Sequence, residues 1–447
     1  MSTSKTSIRI GCGAGYSGDR VDAAVELATY GKLDYLVFEC LAERTIALAQ
    51  QRRALDPEQG YDPLLEERIR ACLPICARQG TKIITNMGAA NPLAALAKVK
   101  AIINELGLKD LKLVAITGDE VTGLITGDQI LIESQQGVSL IQDRIIAANA
   151  YLGIQPILTA LAAGADVILT GRVADPALFL APVVHAFGWP LDDYRLLGQG
   201  TVLGHLLECA GQVTGGYYAD PGYKDVTGLE SLGFPLAEVQ ADGSFEISKV
   251  EGSGGEVSIG TCTEQLLYEI HDPTRYYTPD VIADFSQVVL TQTGKDRVTA
   301  RGGGGIAPTG MLKVSIGYRE GFLGEGQISY GGQNAVARGK LAIEILQKRL
   351  TRSGIPASDM RFDLIGLNAL YGEAASGHEP GEVRVRATVR TNRRETAIQI
   401  GREVEALYTN GPAGGGGAYS AVKEIVAIQS VLMSADRIKP ELHVEKT

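Results

Sequence analysis

Short, wholly apolar runs recur through the first part of the chain, and a stretch with helical spacing follows each of them. Residues 7–10, Tyr35–Phe38, Lys82–Thr85, 113–116 and 165–169 read as strands. Residues 19–30, 41–53, 63–79, 92–106 and about 153–163 read as helices. Strands that alternate with helices predict βαβ units. Runs that are apolar at every position predict strands covered on both faces of a parallel sheet. Each run ends on glycine or a polar residue. The loop GCGAGYSGD follows the first, and the others exit at Glu39, Asn86, Asp119, and Arg172 with Asp175. Ligands bind at the carboxyl ends of strands in such sheets, so these exits are expected to converge on one rim.

The pattern then changes. Residues 176–218 read as helical with an interruption at GWPLDD, and 219–280 as loop-rich. Beyond them, strands at 311–318, 360–366, 382–389 and 425–433 alternate with helices at 333–350 and 393–408. EVRVRATV, at 382–389, alternates strictly, as a half-buried strand does. The order β-α-β-β-α-β predicts a ferredoxin-like split motif. The expected fold class is therefore α/β, with an N-terminal parallel-sheet α/β domain over 1–280 and a C-terminal α+β ferredoxin-like domain over 281–447.

Candidate chemistry sits at the strand exits. Arg172 can grip a carboxylate or phosphate with its planar fork, with Asn86 as a further ligand contact; alternatively, Arg172 and Asp175 form a local ion pair. Glu39, Asp119 and Asp175 are candidate acid–base groups. Gly13, Gly15 and Gly18 fit GxGxxG, with Glu39 about twenty residues on. The loop is read as an anion site through Gly13 and Gly15, with a dinucleotide fingerprint and a plain tight turn as alternatives. GHLLECAGQ sets His205 and Glu208 three apart on one helix face, suited to proton transfer or to a capped, hydrogen-bonded helix end. No third ligand is evident, so no metal is expected. TEQLLYEIHDPTRYYTPD gathers Glu264, Tyr268, Glu269, His271, Asp272, Tyr276, Tyr277 and Asp280, as a site contribution (His271 as a ligand contact) or a polar linker. The glycine runs at 302–305 and 410–417 suggest close backbone approach, with Gly415 and Gly416 as ligand or interface contacts.

Composition removes some classes. The net charge of −10, with no block of basic residues, argues against nucleic-acid and membrane partners. Six dispersed cysteines read as reduced thiols, the amino terminus lacks a signal-peptide core, and no apolar run reaches membrane-spanning length. The expected location is cytoplasmic. GxSxG, HExxH, DxDxDG and CxxC are all missing.

In TGRVADPALFLAP, GHLLECAGQVTGGYYADPG, EQLLYEIHDPTRYYTPDVIADF and TNGPAGGGG the chain resembles the acyclic terpene utilisation AtuA family. The resemblance runs from IRIGCGAGYSGDR to GPAGGGG. It implies a role in bacterial breakdown of citronellol and geraniol through branched acyl-CoA intermediates, and it carries over no catalytic residues. Some relatives are joined to or neighboured by a short second domain, which implies a separate small companion subunit here. The expected function is an enzyme acting on an acyl-CoA or branched carboxylate, with lyase or hydratase chemistry and no cofactor, in a homo-oligomer. The alternative is a non-catalytic acyl-CoA-binding or scaffolding subunit.

Overall fold

The structure, a computed structural model, describes residues 6–372 and 379–447. The elements begin with β1 (Ser7–Ala14), α1 (Val21–Tyr30), β2 (Tyr35–Phe38), α2 (Glu43–Leu55), α3 (Leu65–Gln79), β3 (Lys82–Thr85), α4 (Pro92–Glu105) and β4 (Lys112–Thr117). Next come β5 (Ile145–Ala150), α5 (Gln155–Ala162), β6 (Val167–Thr170), α6 (Ala177–Phe187), α7 (Tyr194–Glu208), β7 (Pro235–Gln240), β8 (Phe245–Lys249) and α8 (Ile259–Leu267). Then β9 (Tyr276–Tyr277), β10 (Ile282–Asp284), β11 (Val289–Gly294), β12 (Arg297–Arg301), β13 (Gly304–Ile306), β14 (Met311–Gly331) and α9 (Ala335–Arg352). The last are β15 (Met360–Ile365), β16 (Glu382–Thr391), α10 (Arg394–Glu405), α11 (Leu407–Asn410), β17 (Gly416–Ser434) and β18 (Glu441–Lys446).

Residues 1–317 and 428–447 form one compact unit, and 318–427 a second. The first unit is built on a ten-stranded sheet in the order β11-β12-β8-β7-β1-β2-β3-β6-β4-β18. The parallel expectation covers only its centre. β1, β2, β3, β6 and β4 pair in parallel, and every residue of β2 and β6 is buried, as strands covered on both faces require. The flanks are antiparallel: β7 joins β1, β8 joins β7, β12 joins β8, β11 joins β12, and β18 joins β4. The sheet is thus mixed. The stretch expected to be loop-rich holds the β7–β8 hairpin, whose alternating PLAEVQ and FEISK flank an Asp-Gly turn, a recognised hairpin signal. The first unit extends past the boundary expected at 280/281, because strands within 289–301 and 441–446 hydrogen-bond into its sheet.

The second unit has strand–helix–strand–strand–helix–strand order, with strands arranged β15-β16-β14-β17. β16 pairs antiparallel with both β14 and β15. Its alternation is resolved as expected. Val383, Val385, Ala387 and Val389 are buried with Leu346, Leu350, Ile400 and Val404 of α9 and α10, while the intervening arginines face away from that core.

Local signals explain how the helices next to the rim start. α4 begins with Asn91, whose side chain accepts from Ala94 N, followed by Pro92; a polar cap followed by proline is a strong helix start. Asp193 caps α7 through Leu196 N. From Leu196 to Glu208 every α7 residue is buried. That depth depends on small residues: a Cβ on Gly204 would lie 2.8 Å from Pro176, and one on Gly198 would overlap the Gly304 carbonyl. The glycine run at 302–305 therefore brings backbone against α7. Gly303 N also donates to Gln199 Oε1 at 2.7 Å.

Candidate functional site

The carboxyl ends of the parallel strands open into a cavity of about 1220 Å³. Gly15 follows β1, Glu39 follows β2, and Arg172 and Asp175 follow β6; all four line the cavity, together with Glu208 at the end of α7. The close contact of Gly204 with Pro176 carries α7 up to the turn that holds Asp175. The walls between these groups are apolar, with Leu41, Ile132, Leu232, Phe234, Met311 and Leu432 among them.

Arg172 is the buried hub. Its Nη2 donates to Asp175 Oδ1 at 2.7 Å, and its Nη1 donates to the Leu41 carbonyl. Its guanidinium carbon stands 4.1 Å from the centre of the Tyr151 ring, a cation–π geometry. Its Nε has no hydrogen-bond partner among the described residues. Burial opposes the Arg172 charge, but Asp175, Tyr151, Glu43 and Glu39 outweigh it and hold the guanidinium firmly protonated. Arg172 thus pairs internally and also lines the cavity.

The carboxylates differ sharply. Asp175 has a third of its side chain open, at 34%. Burial, opposed by Arg172 and assisted by Glu208 and Glu43, pushes its pKa up to about 7. Burial also pushes Glu39 well above the usual carboxylate range, and Asp175 adds to the rise. Glu39 Oε1 accepts from Asn86 Nδ2 at 2.8 Å and from Leu41 N at 3.0 Å. Burial works against the charge on Glu43, but Arg172, the Tyr151 hydroxyl and Lys313 outweigh it and hold its pKa at about 2. Tyr151 donates to Glu43 Oε1, and Lys313 Nζ lies 3.1 Å from the same oxygen.

Several expected residues act from behind the wall. Asn86 holds Glu39 and also accepts from Cys40 N at 2.8 Å. Asp119 Oδ2 accepts from Arg172 N and Asn149 Nδ2, both at 2.9 Å. His205 stands behind Glu208, with Nδ1 3.0 Å from Glu208 Oε1. Besides Asn86, four expected ligand contacts do not line the cavity. Gly13 lies within β1, where a Cβ would be 2.6 Å from the Phe38 ring. His271 is exposed. Gly415 and Gly416 belong to the second unit, and a Cβ on Gly415 would meet Ile328 and Tyr330.

The glycine loop carries its own anion. Gly15 N and Arg20 N both donate to the Asp19 carboxylate, at 2.9 Å each. The carbonyls of Tyr16, Ser17 and Asp19 accept from Arg68 Nη2. Two backbone N–H donors of this loop are thus already engaged by a carboxylate of the chain itself.

Glu43, Tyr151 and Lys313 were missed by sequence reasoning. The signal for Tyr151 is the run IIAANA before it, which is β5 and exits on this tyrosine. Tyr151 N donates to the Lys313 carbonyl of β14 at 2.9 Å, and no local pattern reveals that pairing. Among the described residues, no group of three or more His, Cys, Asp or Glu is arranged to hold a metal ion. No helix among them is long and apolar enough to cross a membrane.

Asp119 gives a pH test. Burial raises its pKa from 3.8 to about 6, against the pull of its two donors. The folded state therefore holds this proton more tightly than the unfolded chain. The contribution is full below about pH 4 and is lost as pH rises through 6. Asp119→Asn keeps an acceptor for both donors and removes the titration. Urea unfolding from pH 4 to 7 should then show a decline smaller by roughly 3 kcal/mol than in the parent. Identical pH slopes for the two proteins would refute this.

No curated protein matches the chain. Among solved structures, the de novo designed protein Foldit4 is similar at 13% identity, over 23% of this chain and 94% of that one, with a TM-score of 0.16, too low to support a fold argument. Residues 8–444 match the family described as acyclic terpene utilisation family protein AtuA.

Proposed function

The chain belongs to the acyclic terpene utilisation family AtuA, and on that premise we propose that it is an enzyme acting on a branched acyl thioester or carboxylate by hydration or elimination of water. The observation that carries the reading is Asp175: a carboxyl group on the cavity wall, paired to a buried arginine, with a pKa of about 7. A group poised there can give or take a proton near neutrality. In elimination, a carboxylate takes a proton from the carbon beside the carbonyl, the adjacent carbon–oxygen bond breaks, and the departing oxygen takes a second proton and leaves as water. Hydration is the reverse.

Size and wall chemistry support the acyl class. Pockets for drug-sized ligands span about 300–1,000 Å³, so about 1220 Å³ has room beyond a branched acyl chain, and the apolar wall suits one. The lining acids Asp19, Glu39, Glu43, Asp175, Glu208 and Glu269 outnumber the bases Arg20, Arg172 and Lys313. That balance supports a reading in which the uncharged reacting part of a thioester lies inside and any phosphate-bearing portion outside. The second unit, read as a ferredoxin-like module, serves in this reading for assembly or companion binding.

The test is incubation of the purified chain with a panel of linear and branched acyl-CoAs and their free acids, followed by mass spectrometry. A mass change of one water on a branched substrate is the expected result. Binding with no turnover across the panel would replace this reading with that of a non-catalytic acyl-CoA-binding subunit.

A further inference from the structure

On the cavity wall, Glu208 Oε2 is buried and has no hydrogen-bond partner among the described residues. The other oxygen, Oε1, is 3.0 Å from His205 Nδ1. A carboxylate can only accept, so Nδ1 carries the hydrogen. His205 itself is 2% exposed and does not line the cavity. Its ring is enclosed by Tyr276 and Phe285, with centroids 5.6 and 5.5 Å away. Its Nε2 is buried without a partner among the described residues. Gln265 Nε2 donates to the His205 carbonyl at 2.8 Å and braces the helix end. The arrangement engages one oxygen of a carboxylate that lines the cavity and leaves the other buried with its acceptor capacity unused. An unmatched buried acceptor is destabilising, and a ligand donor removes that cost.

We propose that Glu208 is the hydroxyl- and water-binding group of the site, that His205 is its positioning residue, and that the ligand class is a branched acyl thioester with a hydroxyl on the β-carbon. The inference rests on the acyl-thioester reading above and adds the second group that reading needs. In the hydration direction, a water O–H bond breaks and its proton passes to Glu208 Oε2. The water oxygen bonds to the β-carbon as the carbon–carbon double bond opens. The α-carbon takes a proton from Asp175, and proton exchange with solvent resets both carboxyl groups.

The experiment measures calorimetric binding of β-hydroxyisovaleryl-CoA and isovaleryl-CoA, which differ by the hydroxyl alone. The parent should prefer the hydroxy compound by about tenfold or more, as a matched buried acceptor predicts. Glu208→Met should reduce that preference to about twofold or less. Glu208→Gln, closer in shape, should reduce it in the same direction and guards against misfolding of the methionine variant. His205→Phe keeps the ring packing and removes the donor, so it should lose most of the preference; His205→Asn restores a donor and should recover it. Equal binding of the two thioesters by the parent, binding of neither, or an undiminished preference in both Glu208 variants overturns the proposal. A hydroxyl preference through Glu208 without turnover of any thioester leaves this assignment standing and removes the enzymatic reading. Turnover with no hydroxyl preference does the opposite.

Discussion

Asp175→Asn is expected to lower turnover by about 10²–10⁴-fold, the range lost when a general acid or base is removed, while the protein still folds. The variant should fold because asparagine keeps an oxygen that can accept from Arg172 Nη2, and Glu43 remains to balance the arginine. The pH profile gives a second signature. With a pKa of about 7, Asp175 is protonated below neutrality and charged above it. Hydration, which uses its proton, should slow as pH rises through about 7, and elimination, which uses its carboxylate, should speed up over the same interval. In Asp175→Asn that inflection should disappear. A variant that turns over at the parental rate with the parental pH profile would remove Asp175 from the mechanism.

Arg172→Ala is expected to cost about 3–5 kcal/mol of stability, the range for breaking a buried ion pair from one side. The side chain spans three partners: the Leu41 carbonyl, Asp175 and the Tyr151 ring. Its removal takes from Glu39 and Asp175 the positive charge that opposes their burial, so both should shift further toward their neutral forms. Arg172→Lys should recover only part of the loss. An ammonium is a point charge and cannot bridge Leu41 and Asp175 with a planar fork. Guanidinium unfolding with matched slopes checks both variants. A loss for Arg172→Ala below about 1 kcal/mol, the level of an exposed pair, would show that the hub is not structural.

The site was partly legible because its main groups sit where apolar runs stop. A strand buried on both faces must be apolar throughout, so Glu39, Asn86, Asp119, Arg172 and Asp175 stand out as the first polar residues past it, and parallel pairing puts those exits on one edge. The i, i+3 spacing of His205 and Glu208 likewise fixes their contact within one helix. Composition and motif strings sufficed for the family, whose match spans residues 8–444. Tertiary structure decided the rest. Whether a polar exit lines the cavity or braces it depends on which neighbour meets it: Asp119 turns to the Arg172 backbone and Asn149, and Asn86 to Glu39. Gly13, His271, Gly415 and Gly416 have local signatures like those of functional residues, but folding leaves them off the cavity wall. Glu43, Tyr151 and Lys313 come together across 108 and 270 residues of sequence separation. No periodic pattern encodes such pairs, because periodicity reports only the face a residue presents, while the sheet's strand order determines what that face meets.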